Sequence, residues 1–438
     1  MESEIEKTHI NSDYFDEKEF LKQIDIIKEA SDIAQKKIDY ITAHDDNIIR
    51  AIEVVETFLK KSHRLCYGGQ AINAHLPAKY KFYDSNASIP DYDFFTPQQD
   101  KDINTIVKDL RKAGFIDISA REGVHKGTIK IYVDYSPVAD ITLIDKKLYR
   151  LLSKREFKID GISYLDANTL RMLMYLELSR PQGEVSRWPK VFERLSLFNE
   201  FIAFKPCRLS SVSFGGEINR NQLKFVINYI ITNKRIFAGA DLVELYNSSL
   251  RHKKIYTNWI FTTKKPIIFL SSDLENDAKQ IVTEFRLMDK KISLTSYSSK
   301  GMEIIPSMKV ISCNKKNIVY IINETSCHSY FNVPIKNGSI IRIASMDTLI
   351  TTYFSLGLID SKFFHIGSME CLANKLVEIS SKARKNPDNF LFPFISIKCS
   401  GYQPSFPSLI RNKVKRLTER KKKLNKILRV RKNTVKNI

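Results

Sequence analysis

Hydrophobic positions in this chain fall into short runs that are separated by turns and by polar, helix-period segments. Residues 65–67 form a short apolar run that ends in Gly68-Gly69 and leads into a helical pattern. Residues 91–95 and 128–135 alternate in polarity as strands do, and residues 138–144 form a second apolar run. The pattern predicts a strand–turn–helix–strand unit followed by two further strands.

Two acidic residues at the start of the second predicted strand carry the most information. Side chains alternate across a strand, so Asp91 and Asp93 point to the same side and repel each other unless a cation lies between them. Divalent metal ions bind carboxylate and phosphate oxygens together. The Gly68-Gly69 turn before a helix lets backbone N–H groups approach a triphosphate. Either feature alone is usually an ordinary turn or a solvated strand face, but their order, with Phe94-Phe95 following the acids, predicts nucleotidyl transfer.

A third carboxylate is expected from a neighbouring strand. Asp140 lies inside an apolar run, where an acid is costly unless it is paired or binds metal. Asp134 is the alternative, and its other interpretation is an exposed strand end. We therefore expect Asp91, Asp93 and Asp140 to be the catalytic metal ligands for two Mg²⁺ (or Mn²⁺) ions. Such ions activate a ribose 3′-hydroxyl for in-line attack on an α-phosphate and steady the leaving pyrophosphate.

Several ordered motifs between Cys66 and Phe204 resemble the poly(A) polymerases of large cytoplasmic DNA viruses. The resemblance is closest to the giant-virus type and more distant to the poxvirus catalytic subunit. The motifs that carry it are Tyr67-Gly68-Gly69-Gln70-Ala71-Ile72-Asn73, Ile89-Pro90-Asp91-Tyr92-Asp93-Phe94-Phe95, Gly123-Val124-His125-Lys126-Gly127-Thr128, Pro137-Val138-Ala139-Asp140-Ile141-Thr142, and residues 174–181 with Ser186-Arg187-Trp188.

The resemblance implies a polymerase-β-like nucleotidyltransferase fold that uses ATP to extend RNA 3′ ends. It implies Asp91, Asp93 and Asp140 as metal ligands, and nucleotide contacts from Gly68, Gly69, Gln70 and Asn73. Gln70 stands where many nucleotidyltransferases outside this family have Ser, so the triphosphate contact there is left to backbone groups or to the amide. It also implies a host-cytoplasmic or viral-factory location, or packaging in the virion.

A helix is predicted from Leu165 to Leu178, capped by Asp166, and a second one from Lys190 to Phe198. Arg187 and Lys190 are candidates for triphosphate or leaving-group contacts, because cations there offset developing charge. The alternative interpretation is that both residues are exposed to solvent at the start of a helix and contact no phosphate. Trp188 is read as core rather than as a base-stacking residue, and His125 as structural or as a phosphate contact.

The second half of the chain repeats the first without its acids. Strand–turn–helix patterns recur at offsets of 170 to 183 residues, which predicts that Pro266 and Ile268 replace Asp91 and Asp93. The remaining proposed equivalences are Gly239 for Gly69, Asn323 for Asp140, and Thr348 for Thr169. We expect a degenerate copy that cannot hold Mg²⁺, stabilises the first copy and widens an RNA cleft.

The predicted architecture is α+β, with a catalytic nucleotidyltransferase domain followed by a degenerate nucleotidyltransferase-like domain. The expected division is an acidic helical segment at 1–46, the catalytic domain at 47–205, the non-catalytic domain at 206–405 and a basic tail at 406–438. A chain of 438 residues with 43% hydrophobic residues suits several sizeable cores. Six cysteines without Cys-x-x-Cys spacing predict reduced thiols, and no apolar run is long enough to span a membrane.

The net charge of +21 is unevenly distributed along the chain. Residues 1–46 carry −7, residues 411–438 carry +12, and the middle carries +16. A cationic body suits single-stranded RNA held through its backbone without sequence preference. Leu417, Leu424, Ile427 and Leu428 indicate an amphipathic, RNA-binding helix in the tail, whose alternative is a disordered segment. The sequence leaves homo-oligomerisation or a processivity subunit open.

Three functions remain open from the sequence. The first is template-independent polyadenylation of RNA. The second is another nucleotidyltransferase, of the CCA-adding or oligonucleotide-synthesising kind. The third is an inactive RNA-binding scaffold, which the intact acids of the first copy disfavour.

Overall fold

The computed structural model describes residues 17–83, 89, 91–249, 261, 264–335, 338–358, 363–384 and 396–435. Its first half is built on a sheet in the order β3-β4-β5-β2-β1-β7-β6. The strands are β1 (Leu65–Tyr67), β2 (Tyr92–Thr96), β3 (Ile118–Glu122), β4 (Thr128–Val133), β5 (Ser136–Leu143), β6 (Phe157–Ile159) and β7 (Ile162–Tyr164).

Helices cover this sheet and connect its strands. Asp45, Asp145 and Asp166 accept backbone N–H groups at three of their N-termini, which satisfies donors that have no partner within the helix. The predicted cap at Asp166 is confirmed. The helices are α1 (Glu17–Ala43), α2 (Asp46–Ser62), α3 (Gly68–His75), α4 (Gln99–Lys112), α5 (Lys146–Ser153), α6 (Ala167–Leu178) and α7 (Trp188–Phe201).

The second half is built on its own sheet in the order β10-β11-β12-β9-β8-β14-β13-β15. Its strands are β8 (Ile236–Phe237), β9 (Ile267–Ser271), β10 (Leu294–Ser299), β11 (Met308–Cys313), β12 (Lys316–Asn323), β13 (His328–Pro334), β14 (Ile340–Ala344) and β15 (Cys399–Ser400). Its helices are α8 (Arg220–Thr232), α9 (Asp241–Ser249), α10 (Leu274–Met288), α11 (Met346–Leu356), α12 (Ile366–Arg384) and α13 (Phe406–Val435).

The two sheets have one topology. If β1 to β7 are replaced in order by β8 to β14, the strand order is unchanged. The directions agree as well: β2 runs parallel to β5 as β9 does to β12, and β1 runs parallel to β7 as β8 does to β14. The remaining neighbours in both sheets are antiparallel. The predicted internal duplication is therefore present in the fold.

A buried polar triad recurs in both copies and fixes their alignment. Arg64 donates to both carboxylate oxygens of Asp102, and Thr96 Oγ1 donates to Asp102 Oδ2. In the second copy, Asp277 accepts from Arg235 at 2.8 Å and from Ser271 at 2.5 Å. Because Thr96 corresponds to Ser271, Pro266 corresponds to Asp91 and Ile268 corresponds to Asp93, as predicted.

Two of the predicted equivalences are wrong. Cys66 pairs with Phe94 as Phe237 pairs with Phe269, so Gly239 corresponds to Gly68 and not to Gly69. On β5, Asp140 lies beside Asp93, whereas on β12 the residue beside Ile268 is Tyr320. The counterpart of the third acid is therefore Tyr320 rather than Asn323. Strand register fixes this position, and a short sequence match could not locate it.

The two copies pack against each other through helices, among them the equivalent pair α6 and α11. Tyr175 on α6 donates to Ser380 on α12, and the Ser329 N–H donates to the Ser179 carbonyl. Arg155 forms an ion pair with Glu370 at 2.5 Å. The domain boundaries at 47–205 and 206–405 stay predictions.

Four of the six cysteines form disulfides, so the prediction of reduced thiols is wrong for them. Cys207 is bonded to Cys371, and Cys327 to Cys399, with Cα separations of 4.9 and 5.3 Å. Sequence spacing gave no sign of this, because each pair joins segments that meet only after folding. Cys66 and Cys313 are free.

The charged ends of the chain are helical where they are described. α1 carries the acidic segment from residue 17 onward, and α13 carries the basic tail, which contacts β3 through Arg416 and Glu122 at 2.5 Å. Residues 1–16 and 436–438 of these predicted segments lie outside the described residues. No helix in the described ranges is long and apolar enough to cross a membrane.

The buried triad of the second copy should contribute strongly to stability. Asp277→Ala would leave Arg235 and Tyr229 without their buried partner, so we expect the free energy of unfolding to fall by about 3–5 kcal/mol. Glu275→Ala on the same helix removes a surface pair with Lys309 and should cost less than about 1 kcal/mol. Chemical denaturation of both variants measures the difference. Equal losses would contradict this role of the triad.

Candidate active site

The three predicted acids meet where β2 and β5 run side by side. Asp93 lies directly opposite Asp140 in the parallel pairing, and Asp91 immediately precedes β2. Burial raises the pKa of Asp93 to about 7, and the neighbouring charges of Asp91 and Asp140 add to the shift. Burial and Asp140 also raise the pKa of Asp91. The acids therefore interact in a poorly solvated space, where a cation would be stabilised.

Lys130 joins this group from β4, and the sequence analysis did not single it out. It lies opposite Asp140 across the antiparallel β4–β5 pair, and its ammonium group donates to Asp140 Oδ2. Burial by itself would lower the pKa of Lys130, but the hydrogen bond to Asp140 and the negative charges of Asp140 and Asp91 together raise it. Lys130 is two residues after Thr128 on β4, so both side chains lie on the same face of the strand. This alternation could have indicated Lys130 as a candidate site residue.

The acids can accept a metal ion, although they do not form a ready-made coordination group. No cluster of three His, Cys, Asp or Glu side chains within the described ranges is arranged to hold an ion. However, Asp140 Oδ1 is buried and has no hydrogen-bond partner. An unpaired buried carboxylate oxygen beside two other carboxylates suits a hard divalent cation. The donor set fits Mg²⁺ or Mn²⁺, and the metal-ligand assignment stays a prediction.

The glycine turn lies directly against the acids. Gly68 begins α3 with φ of +74°, a conformation that favours glycine, and a Cβ there would collide with Asp93 Oδ2. A Cβ on Gly69 would lie 2.6 Å from Tyr83 Oη and 2.9 Å from Arg194 Nη1. The backbone therefore approaches the carboxylates on one side and a guanidinium on the other. This geometry suits a phosphate cradle.

Gln70 and Asn73 are turned to internal partners. Gln70 forms a hydrogen bond with Tyr92, although its Oε1 has no partner. Asn73 Oδ1 accepts the N–H groups of Phe82 and Tyr83, and its Nδ2 donates to the Tyr83 carbonyl. Asn73 is thus committed to holding the 82–83 segment. Direct nucleotide contacts from both residues stay predictions.

Cations from the start of α7 face the acids. Arg187 bonds Glu177 at 3.0 Å and lowers the pKa of Asp93, opposing the larger effect of burial. Burial lowers the pKa of Lys190, with Arg194 and Arg187 adding to the effect and Asp91 opposing it. The structure therefore brings the two predicted cations, Arg187 and Lys190, close enough to the acids to change their pKa values or be changed by them. Together with Arg194 on α7, they are called the α7 cations.

Arg194 was missed by the sequence analysis and has the most defined setting of the three. Its guanidinium lies over the rings of Phe82 and Tyr83, at 4.5 and 5.4 Å from their centroids, and donates to Tyr83 Oη at 2.9 Å. Asn73 holds these two rings in place. The helical spacing of Arg187, Lys190 and Arg194 could have indicated a shared face.

The remaining candidates occupy clear positions. Asp134 has φ of 47° in the turn between β4 and β5, and its N–H bonds the Asp117 carbonyl, so it is a turn residue and not the third acid. His125 is close enough to Arg187 and Lys130 for both to lower its pKa, after the larger effect of burial. Trp188 is half-buried and donates to the Glu177 carbonyl, so it stabilises the α6–α7 junction.

Comparison with known proteins agrees with this arrangement. A structure titled the Megavirus polyadenylate synthase has the same fold, with a TM-score of 0.70 over 94% of this chain and 84% of that one, at 17% identity. The predicted α+β class with two copies of one fold is confirmed. That the fold is that of a nucleotidyltransferase and that the second copy is non-catalytic stay predictions.

The sequence comparisons find similarity to one family over part of the chain. Residues 53–184 match the family model of the poly(A) polymerase catalytic subunit. A putative poly(A) polymerase catalytic subunit of Acanthamoeba polyphaga mimivirus is 28% identical over 52% of this chain and 39% of its own length. One from African swine fever virus (strain Badajoz 1971 Vero-adapted) is 27% identical over 39% of this chain and 36% of its own length.

The predicted resemblance to the poly(A) polymerases of large DNA viruses is thus confirmed. The chain spans less than two fifths of the length of the curated relatives it matches.

The raised pKa of Asp93 predicts a pH dependence of stability. A folded-state pKa near 7, above the usual value near 3.8, means that the folded protein holds a proton the unfolded chain loses. The resulting stabilisation is complete below about pH 4 and is lost as the pH rises to about 7, by at most about 1.4 kcal/mol per pH unit. Urea denaturation without divalent ions should show this fall in the wild type and a smaller one in Asp93→Asn, in which the raised pKa of Asp91 remains. Parallel profiles would contradict it.

Proposed function

We propose that this protein is a polynucleotide adenylyltransferase that adds AMP from ATP to RNA 3′ ends without a template and releases pyrophosphate. One observation carries the proposal: Asp91, Asp93 and Asp140 converge beside a glycine turn and face the α7 cations. The carboxylates could hold metal ions at the reacting phosphate of a nucleoside triphosphate, and the cations on the other side could bind the phosphates that leave as pyrophosphate.

The acids would hold two divalent metal ions. Bound there, such ions supply Lewis-acid activation of a ribose 3′-hydroxyl and charge compensation at the reacting phosphate. Asp140 offers its unpaired Oδ1 for this purpose, while Lys130 neutralises Oδ2. Because Asp93 has a raised pKa, it must lose a proton before it can act as a ligand. This would make ion binding weaker below neutral pH.

The α7 cations and the Gly68 turn would position the triphosphate. Arg187, Lys190 and Arg194 place positive charge where a leaving pyrophosphate develops negative charge. The absence of a side chain on Gly68 leaves room for the Asp93 carboxylate directly against the backbone of the turn, so a metal ion held by Asp93 would lie close to a phosphate bound at the turn. These groups orient the reacting phosphate and need not transfer protons.

Adenylate selectivity and the RNA primer rest on the relatives. The curated relatives are named poly(A) polymerase catalytic subunits, and this chain shares their motifs across residues 53–184. The net charge of +21 supports a polyanionic primer. The name "catalytic subunit" supports a separate processivity subunit, and the viral relatives support action in the host cytoplasm. Homo-oligomerisation stays an untested alternative.

A primer-extension assay with each NTP offered separately tests the proposal. With Mg²⁺ or Mn²⁺ and an oligo(A) primer, we expect long ladders with ATP alone. Addition of only one or two C residues with CTP would favour a CCA-type terminal transferase, and primer-independent products would favour an oligonucleotide synthase. If no nucleotide is incorporated, the protein is the scaffold and the proposal fails.

Removal of the paired acids should abolish the activity. Asp91→Ala with Asp93→Ala is expected to slow extension by at least about 10²-fold, because both carboxylates are needed to compensate charge at the reacting phosphate. Asp134→Asn, in a turn outside the site, should retain wild-type rates. Thermal denaturation would show that the double variant is folded. Unchanged extension in the folded double variant would refute the assignment of the site.

Arg194 should act on the triphosphate rather than on the primer. Arg194→Gln removes a charge at the Gly69 turn, so we expect the KM for ATP to rise by about tenfold or more with the KM for RNA unchanged. Tyr83→Phe, which removes only the 2.9 Å bond that orients the guanidinium, should show a smaller rise. Arg150→Gln, exposed on α5, is the matched control. A rise in the RNA KM alone would contradict this role.

A further inference from the structure

The degenerate copy contains a cavity beside the counterpart of the catalytic acids. It has a volume of about 290 Å³ and is open to solvent. It lies at the N-terminal ends of the parallel strands β9 and β12, and Pro266, the counterpart of Asp91, forms part of its wall. The strand end that carries the three acids in the first copy therefore borders a cavity in the second.

The wall opposite the strand ends is held firmly in place. The segment from Val212 to Glu217 crosses them, and Ser213 exchanges hydrogen bonds with Ser368 on α12 at 3.1 and 2.9 Å. Phe214 packs edge-on against Tyr320, and the Gly216 N–H donates to the Asn317 carbonyl at 2.7 Å. The cavity is thus preformed by main-chain and aromatic contacts.

Two glycines make this close crossing possible. Gly215 has φ of +66°, and a Cβ there would lie 2.5 Å from the Asn317 carbonyl oxygen. A Cβ on Gly216 would lie 2.5 Å from Lys316 Cβ. Side chains at either position would displace the wall or push Lys316 out of the cavity. The local sequence is therefore suited to keeping the cavity open.

The charge at this strand end is reversed relative to the first copy. Lys264 and Lys265 precede Pro266, and Lys316 contributes from β12, while Glu217 is the acid in the lining. Lys265 is partly compensated by Glu244 at 2.9 Å. The counterparts of the other two acids, Ile268 and Tyr320, are fully buried. No carboxylate remains at the three equivalent positions, and the lysines would attract an anion instead of a cation.

We propose that this cavity binds phosphate groups of the RNA strand, upstream of the 3′ end that is extended. The proposal rests on the proposed function for the identity of the polyanion. The volume lies at the lower end of the range for small-molecule pockets, so it suits backbone phosphates and a sugar better than a whole nucleoside triphosphate. Lysine ammonium groups bind phosphates as point charges without reading the base, which suits a homopolymeric tail.

The salt dependence of RNA binding tests this assignment. The double variant Lys264→Gln with Lys316→Gln removes two candidate phosphate contacts. For single-stranded RNA, each contact contributes about 0.7 to the slope of log K against log[salt], so the slope should become shallower by about 1.4. Fluorescence anisotropy with a labelled oligo(A) RNA between about 50 and 200 mM KCl gives this slope without requiring catalysis.

A charge-matched variant separates contact from general electrostatics. Lys279→Gln with Lys291→Gln removes the same charge from exposed positions of the same half of the chain and should leave the slope unchanged. An unchanged slope in the cavity variant, or an equal change in both variants, would overturn the proposal. Gly216→Leu, which would fill the crossing, should weaken RNA binding in the same way with all lysines present, provided that thermal denaturation shows it folded.

The source of the phosphate is distinguished by competition. If inorganic pyrophosphate or ATP depends on Lys264 and Lys316 for binding while the RNA slope does not, the cavity is a nucleotide or pyrophosphate site and the RNA assignment is wrong. If wild-type protein neither binds nor extends RNA, the proposed function itself fails. If the wild-type protein binds and extends RNA, but the salt slope of the cavity variant equals that of the control variant, the cavity assignment fails and the proposed function stands.

Discussion

The pairing of β2 with β5 is the constraint on which the rest of this structure depends. Parallel register brings Asp93 beside Asp140 and leaves Asp91 at the strand entrance, so carboxylates are forced together in a poorly solvated space. Their repulsion is offset by Lys130 and by the nearby α7 cations. The glycine turn at Gly68 is required because a side chain there would occupy the space of the Asp93 carboxylate. The site is thus a balance of charges fixed by one strand register.

The second copy shows what the same scaffold becomes when this constraint is removed. It keeps the strand order, the strand directions and the buried triad around Asp277, which hold the sheet together. At the positions of the acids it has Pro266, Ile268 and Tyr320, and two of these side chains are fully buried. Because no carboxylates repel each other here, apolar and aromatic residues pack at the strand end. Three lysines line the cavity that remains. Scaffold and chemistry are therefore separable in this fold.

Local patterns predicted the elements well because they depend on neighbouring residues. The alternation over residues 91–95, the Asp166 cap and the apolar runs of both sheets each follow from a few adjacent side chains, and the duplication was visible in their repetition. Residue-level equivalences were less accurate: Asn323 was proposed where register places Tyr320, and Gly239 was matched one residue away. Hydrogen bonds between strands fix these positions. Sequence separation along connecting loops does not.

The sequence by itself determined the fold class, the duplication and the three acids, because periodicity and costly buried charge are local properties. Tertiary structure alone decided which groups surround the acids. Lys130 reaches Asp140 only across a strand pair, and Arg194 reaches the Gly69 turn only when α7 packs beside α3. The Cys207–Cys371 and Cys327–Cys399 bonds likewise join residues separated by 164 and 72 positions. Such contacts depend on how distant segments meet in space, and no local pattern encodes that.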